Sequence, residues 1–470
     1  MFEFTVREIA DATKGIIAEG GREAASIKNI VTDSRKIDCF DPAVTAFVGI
    51  KGEKFDGNAF AGEAADKGVA LIITDSEAAE TKLLTGPGGE NTSVLRVEDS
   101  LRAYGAIAAL YRDTLKINVC GVTGSVGKTT TKEMISRVLE SRYKNGRTRA
   151  NFNNEIGVPA TILELDESFR TAVIEMGMRG FGQIDYLAKI AKPDAAVITN
   201  IGCAHLEIMG SKENTMRAKF EIAAGMRWNN LLVLNGDDEY LSDRKKVHEI
   251  LRDYNANPTI VTYGFGEGCD VRAENIRLER DFSEFTVDGV PFRINIPGEH
   301  IIMAVLAAVT VGNFYRIENE AAAEALKNVN AASIGRQQIK KTEKFTLIDD
   351  CYNAGPESVK SSLRLLGQEK NGRRVAFLGD MLELGERAAM LHGEVGRAAS
   401  ENRVDLLVCV GELAKNIGRA AAGCEKIIYC ENSEKAAGLC GELLRDGDSV
   451  LVKGSHAMNM GIISDKILNL

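Results

Sequence analysis

Residues 121–130 constrain the fold of this chain more than any other segment. Their sequence is Gly-Val-Thr-Gly-Ser-Val-Gly-Lys-Thr-Thr, between a mostly apolar run at 117–120 and a helical pattern that starts near Lys128. The glycines permit a tight strand-to-helix turn in which backbone N–H groups and the helix N-terminus surround phosphate oxygens. Lys128 adds a positive charge and Thr129 a hydroxyl that suits Mg²⁺, so the segment predicts ATP binding. A tight turn with a solvated lysine is the alternative.

Composition limits the classes of function. The net charge of −9 argues against a nucleic-acid partner, because duplex binding depends on Lys and Arg side chains that neutralise phosphates. No signal peptide is evident at the N-terminus, and no apolar run approaches the roughly 20 residues of a membrane helix. The longest apolar run, at 303–312, predicts a buried helix. Nine cysteines without a C-x-x-C pair are typical of reduced thiols, so we expect a cytoplasmic protein without membrane insertion.

The order of the predicted elements indicates an α/β protein with three domains, which also fits a length of 470 residues. We predict a small mixed α/β domain at 1–98, a central domain with a parallel sheet at 99–315 and a Rossmann-like domain at 316–470. Strands are predicted at 46–50, 69–74, 171–176, 195–199, 230–234, 345–348, 374–378, 406–410, 426–429 and 449–452, and helices at 6–13 and 59–67. Residues 271–296 predict a hairpin around Asp288-Gly289, and 85–91 a loop.

Polar residues follow two predicted strands of the central region. Glu175 ends the run at 171–176, and His205 and Glu207 follow the run at 195–199. Open α/β sheets place ligands at the carboxyl ends of their strands, and a carboxylate there can hold Mg²⁺. Taken alone, Glu175 equally fits a surface loop, His205 a hydrogen-bonded structural role, and Lys219 on the following helix a solvated charge.

Further polar segments lie at 151–159 and in the last third of the chain. Asparagines at 151, 153 and 154 precede a glycine and a proline, which predicts a fixed turn rich in hydrogen-bonding groups or an ordinary Asx turn. Segments 349–356, 378–385 and 452–456 each follow a predicted strand. Because they would share one sheet edge, they predict a site, with acidic residues suited to a ribose and Tyr352 suited to stacking on a flat ring.

Together these segments resemble the Mur ligase family of ATP-dependent amide ligases over essentially the whole chain. The matching motifs are Gly-x-Thr-Gly-x-x-Gly-Lys-Thr-Thr at 121–130, Asn-x-Asn-Asn-x-x-Gly-x-Pro at 151–159, Glu-Met-Gly at 175–177, Asn-Ile-Gly-x-x-His-Leu-Glu at 200–207, Asp-Asp-x-Tyr-Asn-Ala at 349–354, Leu-Gly-Asp-Met-Leu-Glu-Leu-Gly at 378–385 and Lys-Gly-Ser at 453–455. The motifs around Asn353 and Met381 favour the member that joins D-alanyl-D-alanine to UDP-N-acetylmuramoyl-tripeptide. Segments 33–35 and 52–57 resemble the family's UDP-binding domain.

The resemblance implies a mechanism and a set of site residues. A carboxylate of the UDP-linked peptide attacks the γ-phosphate of ATP, and the amine of D-alanyl-D-alanine then attacks the resulting acyl phosphate. Two Mg²⁺ ions, a carbamylated Lys219 and a monomeric protein are expected. The implied catalytic residues are Lys128, Lys219 and His205; the ATP-binding residues Thr123, Gly124, Ser125, Val126, Gly127, Lys128, Thr129, Thr130, Asn154, His300, Arg336 and Asp350; the metal ligands Thr129, Glu175, His205 and carbamylated Lys219; and the substrate-binding residues Ser34, Arg35, Lys51, Asn151, Asn353 and Lys453.

The sequence also departs from the family pattern. Ile301 and Ala304 stand where the family has asparagines that contact the base, Gly355 where an Asn precedes Pro, His456 where an Arg follows Lys-Gly-Ser, and Gly461 where a Glu is common. These departures fall at the surfaces expected to bind the nucleotide and to meet on domain closure. Two alternative functions remain open. One is another ligase of the superfamily, which adds a single amino acid or adds glutamate to a folate. The other is a nucleotide-binding paralogue with weakened catalysis.

Overall fold

The computed structural model describes residues 2–52, 55–85, 92–227, 229–279, 281–330, 338–369 and 372–470. The chain has the predicted α/β architecture, with a separate sheet in each of its N-terminal, central and C-terminal regions. Residues 86–91 of the predicted loop and Arg336 lie outside the described residues. The domain boundaries 1–98, 99–315 and 316–470 stay predictions.

The N-terminal region holds a small, mainly parallel sheet. Its strands are β1 (Phe4–Thr5), β2 (Ile16–Ile17), β3 (Ser26–Ile27), β4 (Asn29–Val31), β5 (Thr45–Val48), β6 (Leu71–Thr74) and β7 (Ser93–Arg96), and its helices α1 (Val6–Thr13), α2 (Ala61–Asp66) and α3 (Glu77–Thr85). The sheet order is β2-β7-β6-β5-β4, and β1 pairs with β3. Helix α1 has the predicted bounds because a capping box starts it: Thr5 Oγ1 accepts from Glu8 N, and Glu8 Oε2 accepts from Thr5 N.

The central region is built on a parallel sheet in the order β14-β13-β12-β11-β8-β10-β9. Its strands are β8 (Asn118–Thr123), β9 (Asn145–Arg147), β10 (Thr171–Glu175), β11 (Ala195–Ile198), β12 (Leu231–Asn235), β13 (Thr259–Gly264) and β14 (Val271–Arg272). Its helices are α4 (Ser100–Thr114), α5 (Lys128–Glu140), α6 (Gly157–Leu163), α7 (Gln183–Ala191), α8 (Leu206–Met209), α9 (Lys212–Phe220), α10 (Arg244–Asp253), α11 (Glu299–Phe314) and α12 (Asn319–Leu326). Strand β8 lies mid-sheet, so its carboxyl end is flanked by those of β10 and β11.

An antiparallel sheet packs beside the central region. Its strands are β15 (Glu274–Leu278), β16 (Ser283–Val287) and β17 (Val290–Ile294). The predicted hairpin is present, with Asp288 at φ 48° and Gly289 at φ 79° in its turn. Two left-handed residues in succession give a turn whose twist matches that of the strands, which is why Asp-Gly is favoured there.

The C-terminal region has the Rossmann-like alternation that the sequence predicts. Its strands are β18 (Gln338–Lys341), β19 (Thr346–Asp349), β20 (Arg374–Gly379), β21 (Leu406–Val410), β22 (Lys426–Cys430) and β23 (Ser449–Lys453), and its helices α13 (Pro356–Gly367), α14 (Ala388–Glu401), α15 (Lys415–Ala420), α16 (Ser433–Leu443) and α17 (Gly461–Leu468). The order is β18-β19-β23-β20-β21-β22, with only the edge strand β18 antiparallel among the described strands.

Helix α11 is the most apolar helix next to the site. The predicted buried run at 303–312 forms its middle, and it packs against α5, the helix that follows the phosphate loop. Ile301 and Ala304 are both almost fully buried in this core. In the described part of the chain, none of the helices has the length and apolarity that crossing a bilayer requires.

Candidate active site at the carboxyl edge of the central sheet

The phosphate loop joins β8 to α5 as predicted, and its glycines have different roles. Gly124 has φ +146°, and a Cβ on it would lie 1.9 Å from Thr199 Oγ1. Gly127 has φ +83° and precedes the first residue of α5. Both positions therefore require glycine. Gly121 instead lies within β8, where a Cβ would lie 3.0 Å from Ile222 Cδ1, so close packing of the sheet explains this residue.

Asn200, just after β11, anchors the loop. Its Oδ1 accepts from Val126 N at 3.0 Å, and its carbonyl accepts from Ser125 N at 3.1 Å. Thr199 Oγ1 donates to Val126 O at 2.6 Å, and Gly202 N donates to Ser125 Oγ at 2.8 Å. The residues after β11 thus hold the cradle in shape before any phosphate arrives. Asn200 lies in a quoted motif, yet the sequence alone assigned it no role.

Lys128 curls back over the loop that it follows. Its Nζ donates to Gly124 O at 2.8 Å and to Ser125 O at 3.1 Å. Thr129 and Thr130 are half-buried in the first turn of α5, and Thr123 Oγ1 donates to Met176 O at 2.9 Å. These contacts place the lysine charge at the mouth of the loop, beside the N-terminus of α5.

Glu175 ends β10 next to the loop and is buried. Its Oε1 accepts from Asn153 Nδ2 at 2.8 Å, and its backbone N donates to Thr148 Oγ1 at 2.9 Å. Its Oε2 is buried without a hydrogen bond among the described residues and lies 3.9 Å from Lys132 Nζ. One oxygen is thus oriented by an amide, and the other is left for a further ligand. Asn153, from the predicted Asx-rich turn, is a site residue that the sequence interpretation left without a role.

Lys219 is buried on α9, so its interpretation from composition as a solvated charge was wrong. Its residue is 1% exposed, and its ammonium has neither a hydrogen bond nor an ion pair within the described chain. Burial lowers the pKa of Lys219 well below its ordinary value, and nearby Lys128 acts in the same direction. The cost of burying a charge thus favours the neutral amine more at this position than at a solvated lysine.

His205 precedes α8 with a left-handed backbone at φ 58°. Its Nδ1 lies 2.5 Å from Glu383 Oε2 on the C-terminal region, although the two do not form an aligned hydrogen bond. Burial lowers the pKa of His205, with Lys219 and Lys128 adding to this effect and Glu383 opposing it. The neutral imidazole that results is the form that ligates metals.

The described residues contain no cluster of three or more His, Cys, Asp or Glu side chains that could hold a metal ion. The predicted ligands still fit Mg²⁺ when taken with other oxygens. Glu175 offers an oxygen that makes no hydrogen bond within the described chain, Thr129 a hydroxyl and His205 a neutral ring, and Lys219 would offer oxygens only after carbamylation. Because Mg²⁺ keeps waters and substrate phosphates as ligands, a sparse protein set is ordinary for it.

The C-terminal region contacts this edge of the central sheet at further points. Glu383 O accepts from Glu207 N at 3.1 Å, and Glu357 Oε1 accepts from Cys203 N at 3.3 Å. Cys203 and Leu206 pack into the C-terminal apolar core. The segments at 200–207 and 378–385 therefore lie against each other, as a site shared between two regions requires.

Asp350, just after β19, and the buried Lys453, at the end of β23, form an ion pair. Lys453 Nζ donates to Asp350 Oδ2 at 2.6 Å and to Asn353 O at 3.0 Å. Ser362 Oγ also donates to Asp350 Oδ2, at 2.8 Å. The structure thus brings together three residues that were predicted at this sheet edge, although Lys453 and Asp350 satisfy each other in this conformation.

Family models match most of the chain. The Mur ligase family catalytic domain matches residues 26–149, the Mur ligase middle domain 122–312 and the Mur ligase glutamate ligase domain 335–456. This chain belongs to the Mur ligase family. Among its relatives, the UDP-N-acetylmuramoyl-tripeptide–D-alanyl-D-alanine ligase of Bacillus subtilis is 34% identical over 99% of both chains, and that of Escherichia coli is 30% identical over 90% of this chain and 89% of its own.

Solved structures of Mur ligases have the same fold. A crystal structure of MurF from Acinetobacter baumannii superposes with a TM-score of 0.88 at 29% identity, covering 100% of both chains. MurF of Thermotoga maritima, solved in complex with ADP, has a TM-score of 0.78 at 27% identity, covering 94% of this chain and 97% of its own. The predicted fold class and family are thereby confirmed.

The remaining predicted residues of this Mur ligase lie apart from that cluster. Arg35 is exposed and pairs with Asp33, and this guanidinium lowers the pKa of Asp33 to about 2. Ser34 is buried, and its carbonyl accepts from Lys67 Nζ at 3.0 Å, whereas Lys51 is exposed. Within the described chain, neither hydrogen bonds nor ion pairs join Ser34, Arg35 or Lys51 to the central cluster. Their roles stay predictions.

The roles of two further predicted nucleotide-binding residues and one predicted substrate residue also stay predictions. Asn154 Oδ1 accepts from Gly157 N, the first residue of α6, at 2.9 Å, while Asn151 is exposed. His300 is exposed in the first turn of α11, next to Gly298 at φ +116°. Arg336 is outside the described residues. In this Mur ligase, Ile301 and Ala304 are buried in the apolar core. Core packing therefore explains why these two positions differ from the family pattern.

Proposed function

We propose that this chain is an ATP-dependent amide ligase that joins D-alanyl-D-alanine to UDP-N-acetylmuramoyl-tripeptide during peptidoglycan precursor synthesis. Relatives that bear this name align with nearly the whole chain, at 34% and 30% identity. The observation that carries the proposal is the convergence of Lys128, Glu175, His205 and Lys219 at one sheet edge, against which the C-terminal region packs.

The residues of this chain supply positioning and charge. Lys128 and the N-terminus of α5 bind the β- and γ-phosphates of ATP, which orients the γ-phosphorus toward a carboxylate of the peptide. That carboxylate forms a bond to phosphorus as the bond to the ADP oxygen breaks. The dipeptide amine then bonds to the acyl carbon, and inorganic phosphate leaves. The C-terminal region covers the site, so the acyl phosphate meets the amine before water.

Thr129, Glu175 and His205, with Lys219 as its carbamate, would hold Mg²⁺. When bound, Mg²⁺ offsets the negative charge that gathers on the transferring phosphoryl group. We propose two ions, since Glu175 ends β10 whereas His205 lies in the segment that follows β11.

We propose that Lys219 is carbamylated. The neutral amine that burial favours can attack carbon dioxide, forming an N–C bond and releasing one proton. The product is a carbamate anion in place of the buried amine. Lys219→Ala should lose activity and regain part of it with short carboxylic acids, whereas exposed Lys116→Ala should behave as wild type. Full activity of Lys219→Ala without added acid would refute the modification.

The central experiment measures phosphate release by the purified protein with ATP and UDP-N-acetylmuramoyl-tripeptide. We expect release to depend on D-alanyl-D-alanine, with the matching product mass, and Lys128→Ala to abolish it. Phosphate release that does not depend on D-alanyl-D-alanine would refute the proposal. Single amino acids, or a folate with glutamate, test the alternative ligases, and nucleotide binding without turnover would identify a paralogue with weakened catalysis. Two tripeptides that differ at position three identify the preferred diamino acid.

We propose a cytoplasmic location, because ATP and a UDP-linked precursor are cytoplasmic compounds, and all nine cysteines are free. We also propose a monomer, which light scattering on the purified protein tests directly.

A further inference from the structure

The segment Asp380–Gly385 of the C-terminal region is fixed from several sides. Met381 N donates to His392 Nε2 at 2.9 Å, and Leu382 N donates to Ser455 Oγ at 2.9 Å. Asp380 Oδ1 accepts from Ala414 N at 2.7 Å. These bonds give the segment a defined shape although it lies outside any strand or long helix.

Glu383 lies at the tip of this segment and meets the central region. Its backbone is left-handed, at φ 64°, and its carbonyl accepts from Glu207 N. Gly385 packs so closely that a Cβ on it would lie 3.0 Å from Glu207 Cα. The side chain of Glu383 ends 2.5 Å from His205 Nδ1. Strained backbone at both His205 and Glu383 is typical of positions that the surrounding structure holds for a purpose.

We infer that Glu383 is a positioning residue: its carboxylate touches Nδ1, although the contact is not aligned as a hydrogen bond, and its negative charge favours a proton on that nitrogen, which leaves Nε2 free to bind a metal ion once the C-terminal region has closed. A carboxylate that accepts from the other ring nitrogen commonly fixes the tautomer and direction of a metal-binding histidine. Here the carboxylate comes from a different region of the chain than the histidine. Domain closure and completion of the metal site are then one event.

This inference rests on the proposed function, because His205 is taken as a metal ligand. Glu383→Gln keeps the size of the side chain and removes its charge, and Glu383→Ala removes the acceptor. Glu386→Gln and Glu386→Ala are the matched controls, since Glu386 is an exposed carboxylate three residues further along the chain.

The first measurement is the tautomer of His205 in ¹⁵N-histidine spectra. The chain has five histidines, so the signals of His205 are identified by their loss in His205→Gln. We expect the Nδ1–H form in wild type and in both Glu386 variants. Glu383→Ala should shift the ring toward the Nε2–H form, and Glu383→Gln, which keeps a neutral acceptor, should shift it less. An unchanged tautomer in Glu383→Ala would overturn the inference, whether or not the protein proves to be a ligase.

The second measurement is Mn²⁺ binding by electron paramagnetic resonance with a non-hydrolysable ATP analogue. Glu383→Ala should weaken binding by about 10- to 100-fold, as loss of such partners does elsewhere. In a double-mutant cycle on kcat, Glu383→Ala should add nothing to His205→Ala, because it acts through that ring. If each substitution instead lowered kcat independently, so that the two fold-losses multiplied in the double variant, the inference would be overturned. A wild-type protein without ligase activity would refute the proposed function. The tautomer measurement would then decide the inference about Glu383.

Discussion

Lys132 Nζ lies 3.9 Å from Glu175 Oε2, and both side chains are almost completely buried. Lys132 stands one helical turn after Lys128 on α5 and also donates to Thr148 O at 2.8 Å. It therefore supplies an internal positive charge behind the carboxylate that we propose as a Mg²⁺ ligand.

Lys132→Met should destabilise the protein by about 3 kcal/mol, because it leaves Glu175 as a buried charge without this partner. Urea unfolding near neutral pH measures the change. Lys116→Met, at an exposed lysine before β8, should stay within about 0.5 kcal/mol of wild type. In the double variant, Glu175→Gln should recover part of the loss. A Lys132→Met protein as stable as the Lys116 control would contradict the role of Lys132.

Gly124→Ala should abolish ATP binding and lower stability, since the added Cβ meets Thr199 Oγ1 and the backbone has φ +146°. Calorimetric titration with ATP, together with thermal unfolding, checks both effects. Gly438→Ala is the control: it lies within α16, with no atom within 4 Å of the added Cβ. There we expect a small gain in stability of about 0.5–1 kcal/mol and unchanged ATP binding. Equal behaviour of the two variants would rule out our account of the loop.

Lys219 should make stability depend on pH in carbon-dioxide-free buffer. Its pKa in the folded protein is well below the ordinary value of 10.5 that applies to the unfolded chain. Between the lowered pKa and 10.5, the unfolded chain binds more protons, so the free energy of unfolding rises with pH in that window and is lost as pH falls. Lys219→Met should flatten this rise. Denaturant unfolding across the window compares the two proteins, and parallel profiles would exclude the buried-amine interpretation.

Ile301→Asn introduces the residue usual for the family, and it should harm this protein. Ile301 packs in the core between α11 and α5, so the amide would be buried without a partner at a cost of about 2–4 kcal/mol. Thermal unfolding and ATP titration measure the result. Glu299→Asn, at the exposed first residue of α11, should be nearly neutral. Tighter ATP binding by a stable Ile301→Asn protein would show that the position belongs to the nucleotide site.

The elements with strong local signals were predicted well. The helix at 6–13 and the strand at 406–410 have the predicted bounds, because a capping box starts the first and a continuous apolar run defines the second. The hairpin followed from Asp288-Gly289. Strands Ile16–Ile17 and Gln338–Lys341 were missed: the first is only two residues long, and the second is a mostly polar edge strand without a fully buried face. The first pairs with the distant strand Ser93–Arg96 and the second with the following strand Thr346–Asp349, and these pairings decide their structure.

The candidate site was predictable in its residue types but not in its connections. Glu175 ends a strand, and Lys128 and His205 lie in the segments that follow two strands, where their order in the chain predicts them. The support that Asn200, Asn153 and Glu383 give to them depends on contacts between segments far apart in sequence. Lys219 shows the limit most clearly, because nothing in the local sequence distinguishes a buried lysine from a solvated one.

The junction between the central and C-terminal regions bears on how quickly products can depart. Within the described chain, its hydrogen bonds include the pair between Glu207 N and Glu383 O and that between Cys203 N and Glu357 Oε1, with Cys203 and Leu206 as apolar contacts. Such contacts break at modest cost, each hydrogen bond contributing about 1 kcal/mol. A junction of this kind can open in every catalytic cycle, so ADP, phosphate and the extended peptide need not wait on a slow separation of the two regions.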